Sequence, residues 1–226
     1  MVKDWPFSKP LPTQPPLFAP LVWLASVALC LSGCSGLATV MHAVGVDQIP
    51  ADYKGLRDST VAVITLTDSS QYSNDVASRE LSRFVGGILT KEVKGIQLVR
   101  EDKIEQWRDV NGWDSLDFDT IGQEIGAEKV LGIEVANLRL REGSTLYRGR
   151  ADVVINVIDA ETGNVEYTRT LDEFTYPNVA GQYTSETTES KFRKLYLKML
   201  AEEISRSFHP YDLTDRIAAD SRIASQ

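Results

Sequence analysis

The chain has 226 residues, 24 Lys+Arg against 32 Asp+Glu, a formal net charge of −8 and a hydrophobic fraction of 42%. An acidic chain repels nucleic-acid phosphates, which excludes that class of partner, and it does not lie flat on anionic lipid through its body. With only two cysteines, neither a disulfide framework nor a cysteine metal site is expected.

Three zones stand at the N-terminus. Residues 1–16 carry Lys3, Asp4, Lys9 and five prolines, and residues 17–31 are apolar and free of proline from Leu21 to Leu31. Leu31-Ser32-Gly33-Cys34 follows, with small residues where a peptidase needs them and a thiol placed for acylation. The pattern resembles a bacterial lipoprotein signal. It implies cleavage before Cys34 and covalent lipid, palmitate included, on that residue. Cys30 is a poorer site because Leu29 precedes it. The apolar run is short for a membrane span, which needs about 20 residues, and Pro20 interrupts it. Several acyl chains hold firmly where one binds only marginally. Ser35, not aspartate, follows the cysteine, which favours the outer membrane facing the periplasm over the inner membrane. Removal of residues 1–33 takes away two basic residues and one acidic one, leaving 22 against 31 and a net charge of −9. Cys34 is then the sole cysteine.

Residues 34–58 read as a lipidated tether broken by Gly36, Gly45, Pro50 and Gly55. The domain follows over 59–210, long enough to bury about two-thirds of its unfolded surface. Thr60 to Leu66 is apolar on both faces, as a central strand requires. Asn74 or Asp75 caps a helix with Ala77, Leu81, Phe84, Val85, Ile88 and Leu89 on one face. Gly86-Gly87 inside that helix costs about 1 kcal/mol per glycine, and close packing is the expected compensation.

Ile96–Val99 is a short strand. Helices follow from Asp102 to Val110, with Ile104 and Trp107 inward, and from Asp117 or Asp119 to Gly126, with Phe118, Ile121 and Ile125 inward. Lys129–Arg141 is a long strand whose apolar phase switches after Val135, which places a β-bulge at Ala136-Asn137. Arg150–Asp159 alternates cleanly, Asp159–Asn164 is a hairpin turn with Gly163 free to take positive φ, and Val165–Tyr176 returns. A loop over 177–185 leads to a helix from about Glu186 to Phe208, buried through Phe192, Leu195, Tyr196, Met199 and Ile204. An acidic tail occupies 211–226. The order β-α-β-α-α-β-β-β-α specifies an α/β (α+β) domain: one mixed sheet of about five strands with helices mainly on one face.

Val61-Ala62-Val63-Ile64, Val99-Arg100-Glu101, Ile125-Gly126-Ala127-Glu128-Lys129-Val130-Leu131-Gly132 and Val157 to Val165 fall at the start, second strand, third strand and hairpin of that order. Together they resemble a group of envelope lipoprotein domains. The group comprises the curli-secretion-channel family, the penicillin-binding-protein activator lipoproteins and the N-terminal domain of the Tol translocation protein. The resemblance covers about 120 residues and rests on structural turns. It implies an α/β domain with a protein-binding role in the envelope. Two departures stand out. The Arg141–Arg150 connection and the 177–185 loop are too short for membrane strands of about 9–11 residues each. Residues 35–58 extend at most about 80 Å.

For chemistry, His42 and His209 are far apart and too few for a histidine metal site. Asp114, Asp117 and Asp119 lack a calcium-loop pattern and read as helix caps. Asp68, Ser69 and Ser70 end the first strand, where α/β sheets bind ligands, but no phosphate loop or nucleophile elbow surrounds them. Trp107 and Trp113 would mark a partner surface if exposed together. The expected function is a non-enzymatic, lipid-anchored envelope protein that binds an envelope protein partner or a second copy of itself, with no cofactor beyond the lipid on Cys34. The alternatives are a periplasmic small-ligand or glycan-binding domain and, last, a carboxylate-based hydrolase.

Overall fold

A computed structural model describes residues 48–68, 75–112, 117–178 and 180–212. Cys34, its motif Leu31-Ser32-Gly33, His42, Ser69, Ser70, Trp113 and Asp114 lie outside the described residues.

The elements in chain order are β1 (Gln48–Ile49), β2 (Thr60–Thr67), α1 (Val76–Glu92), β3 (Gln97–Leu98), α2 (Glu101–Asn111), α3 (Phe118–Ile125), β4 (Lys129–Glu142), β5 (Leu146–Asp159), β6 (Val165–Tyr176), β7 (Gln182–Tyr183), α4 (Glu189–Ser205) and β8 (Tyr211–Asp212). The sheet runs β3-β2-β4-β5-β6, with β7 added beside β5. It is mixed, as the element order requires. β2 lies parallel to β3 and β4, and β4, β5 and β6 form an antiparallel meander.

β2 is buried along nearly its whole length because both of its faces are covered. Val61 and Val63 join the larger core under the long helices α1 and α4, while Ala62, Ile64 and Leu66 join a smaller core under the short helices α2 and α3. The long helices thus share one face, and the short pair covers the other face beside β2, the start of β4 and the end of β5. Beyond that cover, β5 alternates buried and half-buried residues, the signature of a sheet with one wet face.

Helix α4 carries most of the larger core. Phe192, Tyr196, Leu197, Leu200 and Ile204 are essentially inaccessible, and such side chains contribute about 1.5–3 kcal/mol each on burial. Gly149 permits this packing: a Cβ there would stand 2.0 Å from the Tyr196 ring. The helix begins at Glu189 rather than Glu186 because Thr188 caps it, accepting the Lys191 N–H at 3.4 Å. Glu186 belongs to the preceding turn, where its carboxylate accepts the Tyr183 N–H.

Residues 48–58 belong to the folded body, not to the tether: Ala51 and Leu56 are buried, the Tyr53 N–H donates to Ser207 O at 2.9 Å, and the Asp58 N–H donates to Lys94 O at 3.2 Å. The Tyr53 ring packs on Tyr167 and Phe208, at centroid distances of 5.4 and 6.3 Å. At the other end, Tyr211–Asp212 leaves the tail to pair with Gln48–Ile49.

Of the two glycines inside α1, only one is accounted for by close packing. A Cβ on Gly86 would meet Leu98 at 2.9 Å, whereas a Cβ on Gly87 would meet nothing within 4 Å.

Candidate functional site

The chain leaves β2 for β3 on one side and β4 on the other, so the carboxyl end of β2 is a switch point of the kind that binds ligands in open α/β sheets. A cavity of about 530 Å³ lies there, lined by Asp68, Asp75, Arg139, Arg141, Glu189 and Arg193 among others.

Most of these groups have partners within the fold. Asp68 Oδ2 accepts the backbone N–H of Asn137 at 3.0 Å. Asn137 sits at φ +55° where the β4–β5 register shifts, and the bulge there is what switches the apolar phase of β4. Its side-chain amide donates to Asp152 Oδ2 at 2.8 Å. The other oxygen of Asp152 accepts the N–H of Glu173 at 2.9 Å, and Glu173, at φ +46°, lies at a second register shift on β6. One carboxylate on β5 therefore fastens bulges on both neighbouring strands. The Asn137 amide, with the Glu173 N–H second, holds Asp152 below the ordinary carboxylate range.

Asp75 stands at the N-cap of α1 but makes no side-chain cap bond; its carboxylate accepts the Thr67 hydroxyl at 2.9 Å instead. Arg141 donates to Glu189 through Nη2 at 2.9 Å and lies over the Tyr147 ring at 5.2 Å. Arg193 approaches Glu189 at 3.9 Å. Arg139 alone of these groups makes no hydrogen bond or ion pair with the described residues.

A second polar cluster lies at the opposite end of β4. Lys129 Nζ donates to Asp159 Oδ2 and Glu166 Oε1, both at 2.6 Å, and the Tyr53 hydroxyl donates to Glu166 Oε2. Burial lowers the Lys129 pKa, but its two carboxylate partners outweigh that and raise it. Lys129, then the N–H and hydroxyl of Thr162, holds Asp159 far below the ordinary range. Lys129 and Tyr53 lower Glu166. Burial, with Glu166 second, pushes the Tyr53 phenol far up. The cluster ties residues 48–58 to the β5–β6 hairpin, where Gly163 has φ +71°.

Asp117 precedes α3 and accepts the Thr120 hydroxyl at 2.7 Å. Trp107 is half-buried and donates from Nε1 to Glu124 at 2.5 Å, joining α2 to α3. His209 is half-buried beside Pro210 O. Among the described residues, no three His, Cys, Asp or Glu side chains gather as metal ligands, and no helix is long and apolar enough to cross a membrane.

Of the residues read as a ligand site, only Asp68 is described, and it reaches the cavity rim. The Asp152 link was not legible in sequence. Its one signal is the phase switch at Ala136-Asn137, which marks a bulge without naming the group that holds it.

No protein-family model matches the chain, and no curated protein matches it. Among solved structures, it is similar to lipoprotein GNA1162 from Neisseria meningitidis at 12% identity and TM-score 0.43, over 66% of this chain and 99% of that one. It is similar to PelC, a dodecamer from Paraburkholderia phytofirmans, at 14% identity and TM-score 0.41, over 72% and 95% of the two chains. The C-terminal domain of LpoB from Escherichia coli matches at 14% identity and TM-score 0.35, over 51% and 82%.

Proposed function

We propose that this chain is a lipid-anchored protein of the bacterial cell envelope, held through Cys34 in the outer membrane and facing the periplasm. The observation that carries this reading is Leu31-Ser32-Gly33-Cys34 after an apolar run, ahead of a folded body. That body begins at Gln48, so residues 35–47 are the whole spacer. Fully extended, they reach at most about 45 Å. The domain therefore works close to its membrane and does not project far across the periplasm.

Its role is non-enzymatic: it binds an envelope protein partner, or further copies of itself, in assembly or maintenance of the envelope. The engagement of Asp68, Asp75 and Glu189 in internal hydrogen bonds and ion pairs supports this, because none is left as an uncommitted acid or base. Replacing Cys34 by serine tests the anchor: the protein leaves the membrane fraction or accumulates unprocessed. Unchanged membrane retention of a processed chain contradicts it.

A second reading rests on Arg139, whose side chain has no partner among the described residues at the rim of the 530 Å³ cavity. There the domain takes a small anionic ligand or glycan, paired by the guanidinium. Calorimetry with soluble cell-wall fragments, on wild type and Arg139→Ala, separates the two: heat of binding that Arg139→Ala abolishes favours the ligand reading, and none favours the first.

A further inference from the structure

Helix α4 packs against α1 along one flank. Its other flank overhangs β6, the last strand of the sheet path, whose outer side has no strand neighbour among the described residues. Between helix and strand lies a groove of about 280 Å³, with Leu171, Phe174 and Met199 as its apolar part. Leu195, Met199, Glu202 and Arg206 recur at helical spacing and so form one stripe along that flank. Leu195, Leu171 and Phe174 are only partly buried. β6 runs for 12 residues with neither lysine nor proline, two residues that commonly blunt an open edge.

The charges of this helix are segregated. Past Glu189, its first half carries Lys191, Arg193 and Lys194, and Lys198 follows; Glu202 and Glu203 stand in the last turn, which has no basic residue. A helix dipole favours the reverse, with acids at the N-terminus and bases at the C-terminus. Arg193 approaches Glu189, and Glu203 is paired with Arg169 and Arg206. The side chains of Lys198, Glu202 and, on the strand side of the groove, Asp172 have no partner among the described residues.

A helix flank that is basic in its first half and acidic in its last turn is complementary to itself turned end for end. We propose that a second copy of the chain docks on this flank, about a two-fold axis that sets α4 antiparallel to its counterpart and closes both grooves. The inference rests on the reading that the domain contacts protein, and it names the partner and the surface. The fold fixes the level of the axis. Arg169 on β6 donates to Glu203, and the Tyr196 hydroxyl donates to Phe174 O at 3.0 Å, so Leu200 stands level with residues 171–172. An axis at that level brings Lys198 of each copy beside Glu202 of the other, and the two apolar stripes meet over Leu171 and Phe174. A two-fold contact closes on itself, which gives a dimer and not a filament. It also leaves Gln48 of both copies at one height along the axis, so both anchors reach the same membrane.

The test uses the mature chain without lipid, residues 35–226, in sedimentation equilibrium, where it forms a reversible dimer. Lys198→Glu and Glu202→Lys each weaken dimerisation by about tenfold, since each turns two attractions across the axis into repulsions; the double variant Lys198→Glu/Glu202→Lys restores it. Far-UV spectra of all three stay unchanged, neither side chain being buried. A monomer at every concentration, or a double variant no stronger than the singles, overturns the proposal. Membranes carrying the full chain separate this inference from the reading it rests on. There Glu202→Cys is labelled with a benzophenone maleimide and irradiated, with the unsubstituted chain as the control for Cys34. The expected product has twice the mass of the chain and yields only this chain's peptides. A product with a different protein overturns the second copy as occupant and keeps the protein-contact reading; no product at all contradicts both.

Discussion

Asp152 and Asn137 face each other across β5 and β4, joined by a 2.8 Å hydrogen bond at the one place where both outer strands of the meander bulge. Without the Asn137 amide and the Glu173 N–H, neither bulge has its carboxylate anchor. Asn137 holds a left-handed conformation that other side chains adopt only at a cost of about 1–2 kcal/mol. Asn137→Ala therefore lowers the unfolding free energy by roughly that amount plus the lost bond, about 2–3 kcal/mol in all. Asn137→Gly loses distinctly less, because glycine keeps the backbone conformation. Urea melts of the two variants check the order.

The same pair sets part of the acid response. Asp152 has a depressed pKa in the fold, so its stabilising contribution is complete above the unfolded value of about 4 and fades as pH falls below it. Asp159 and Glu166 are depressed as well and add to that loss. Stability measured by urea from pH 6 down to pH 2.5 falls below pH 4, and Asp152→Asn shows a shallower fall than wild type. Equal slopes refute the assignment.

At the other end of β4, the Tyr53 phenol is neutral in the fold beyond its ordinary range. Its raised pKa adds stability below about pH 10 that is lost as pH rises further. Tyr53→Phe removes the bond to Glu166, at a cost of about 1 kcal/mol. The alkaline loss of stability above pH 10 is correspondingly smaller in Tyr53→Phe, measured by thermal melts from pH 8 to pH 11.

Two glycine substitutions on different elements give opposite results. Gly87→Ala raises stability by about 1 kcal/mol, since helix propensity improves and no atom obstructs the new methyl. Gly149→Ala loses about 3 kcal/mol, because the methyl collides with a Tyr196 ring that is itself fully buried. Calorimetric melting temperatures of both proteins measure this contrast.

Much of the fold was readable because periodicity reports burial. The unbroken apolar run of β2 announced a strand covered twice, and the alternation of β5 announced one covered once. The docking of residues 48–58 was hidden, since Ala51, Tyr53 and Leu56 are too sparse to form a period, and Tyr53 packs on Phe208 and Tyr167, far along the chain. The role of Asp75 was hidden for a similar reason: an N-cap position predicts a bond to the helix, and Thr67 took it instead. The strand-end carboxylate Asp68 was found by topology, but its partner Asn137 lies 69 residues away and carries no local sign of the contact.

The account stands or falls on the anchor. Mass spectrometry of the N-terminal peptide of the protein extracted from membranes measures it directly. The account predicts a mature chain that begins at Cys34 and carries diacylglycerol on the thiol. A chain that begins elsewhere, or an unmodified Cys34 in the membrane-bound protein, contradicts it.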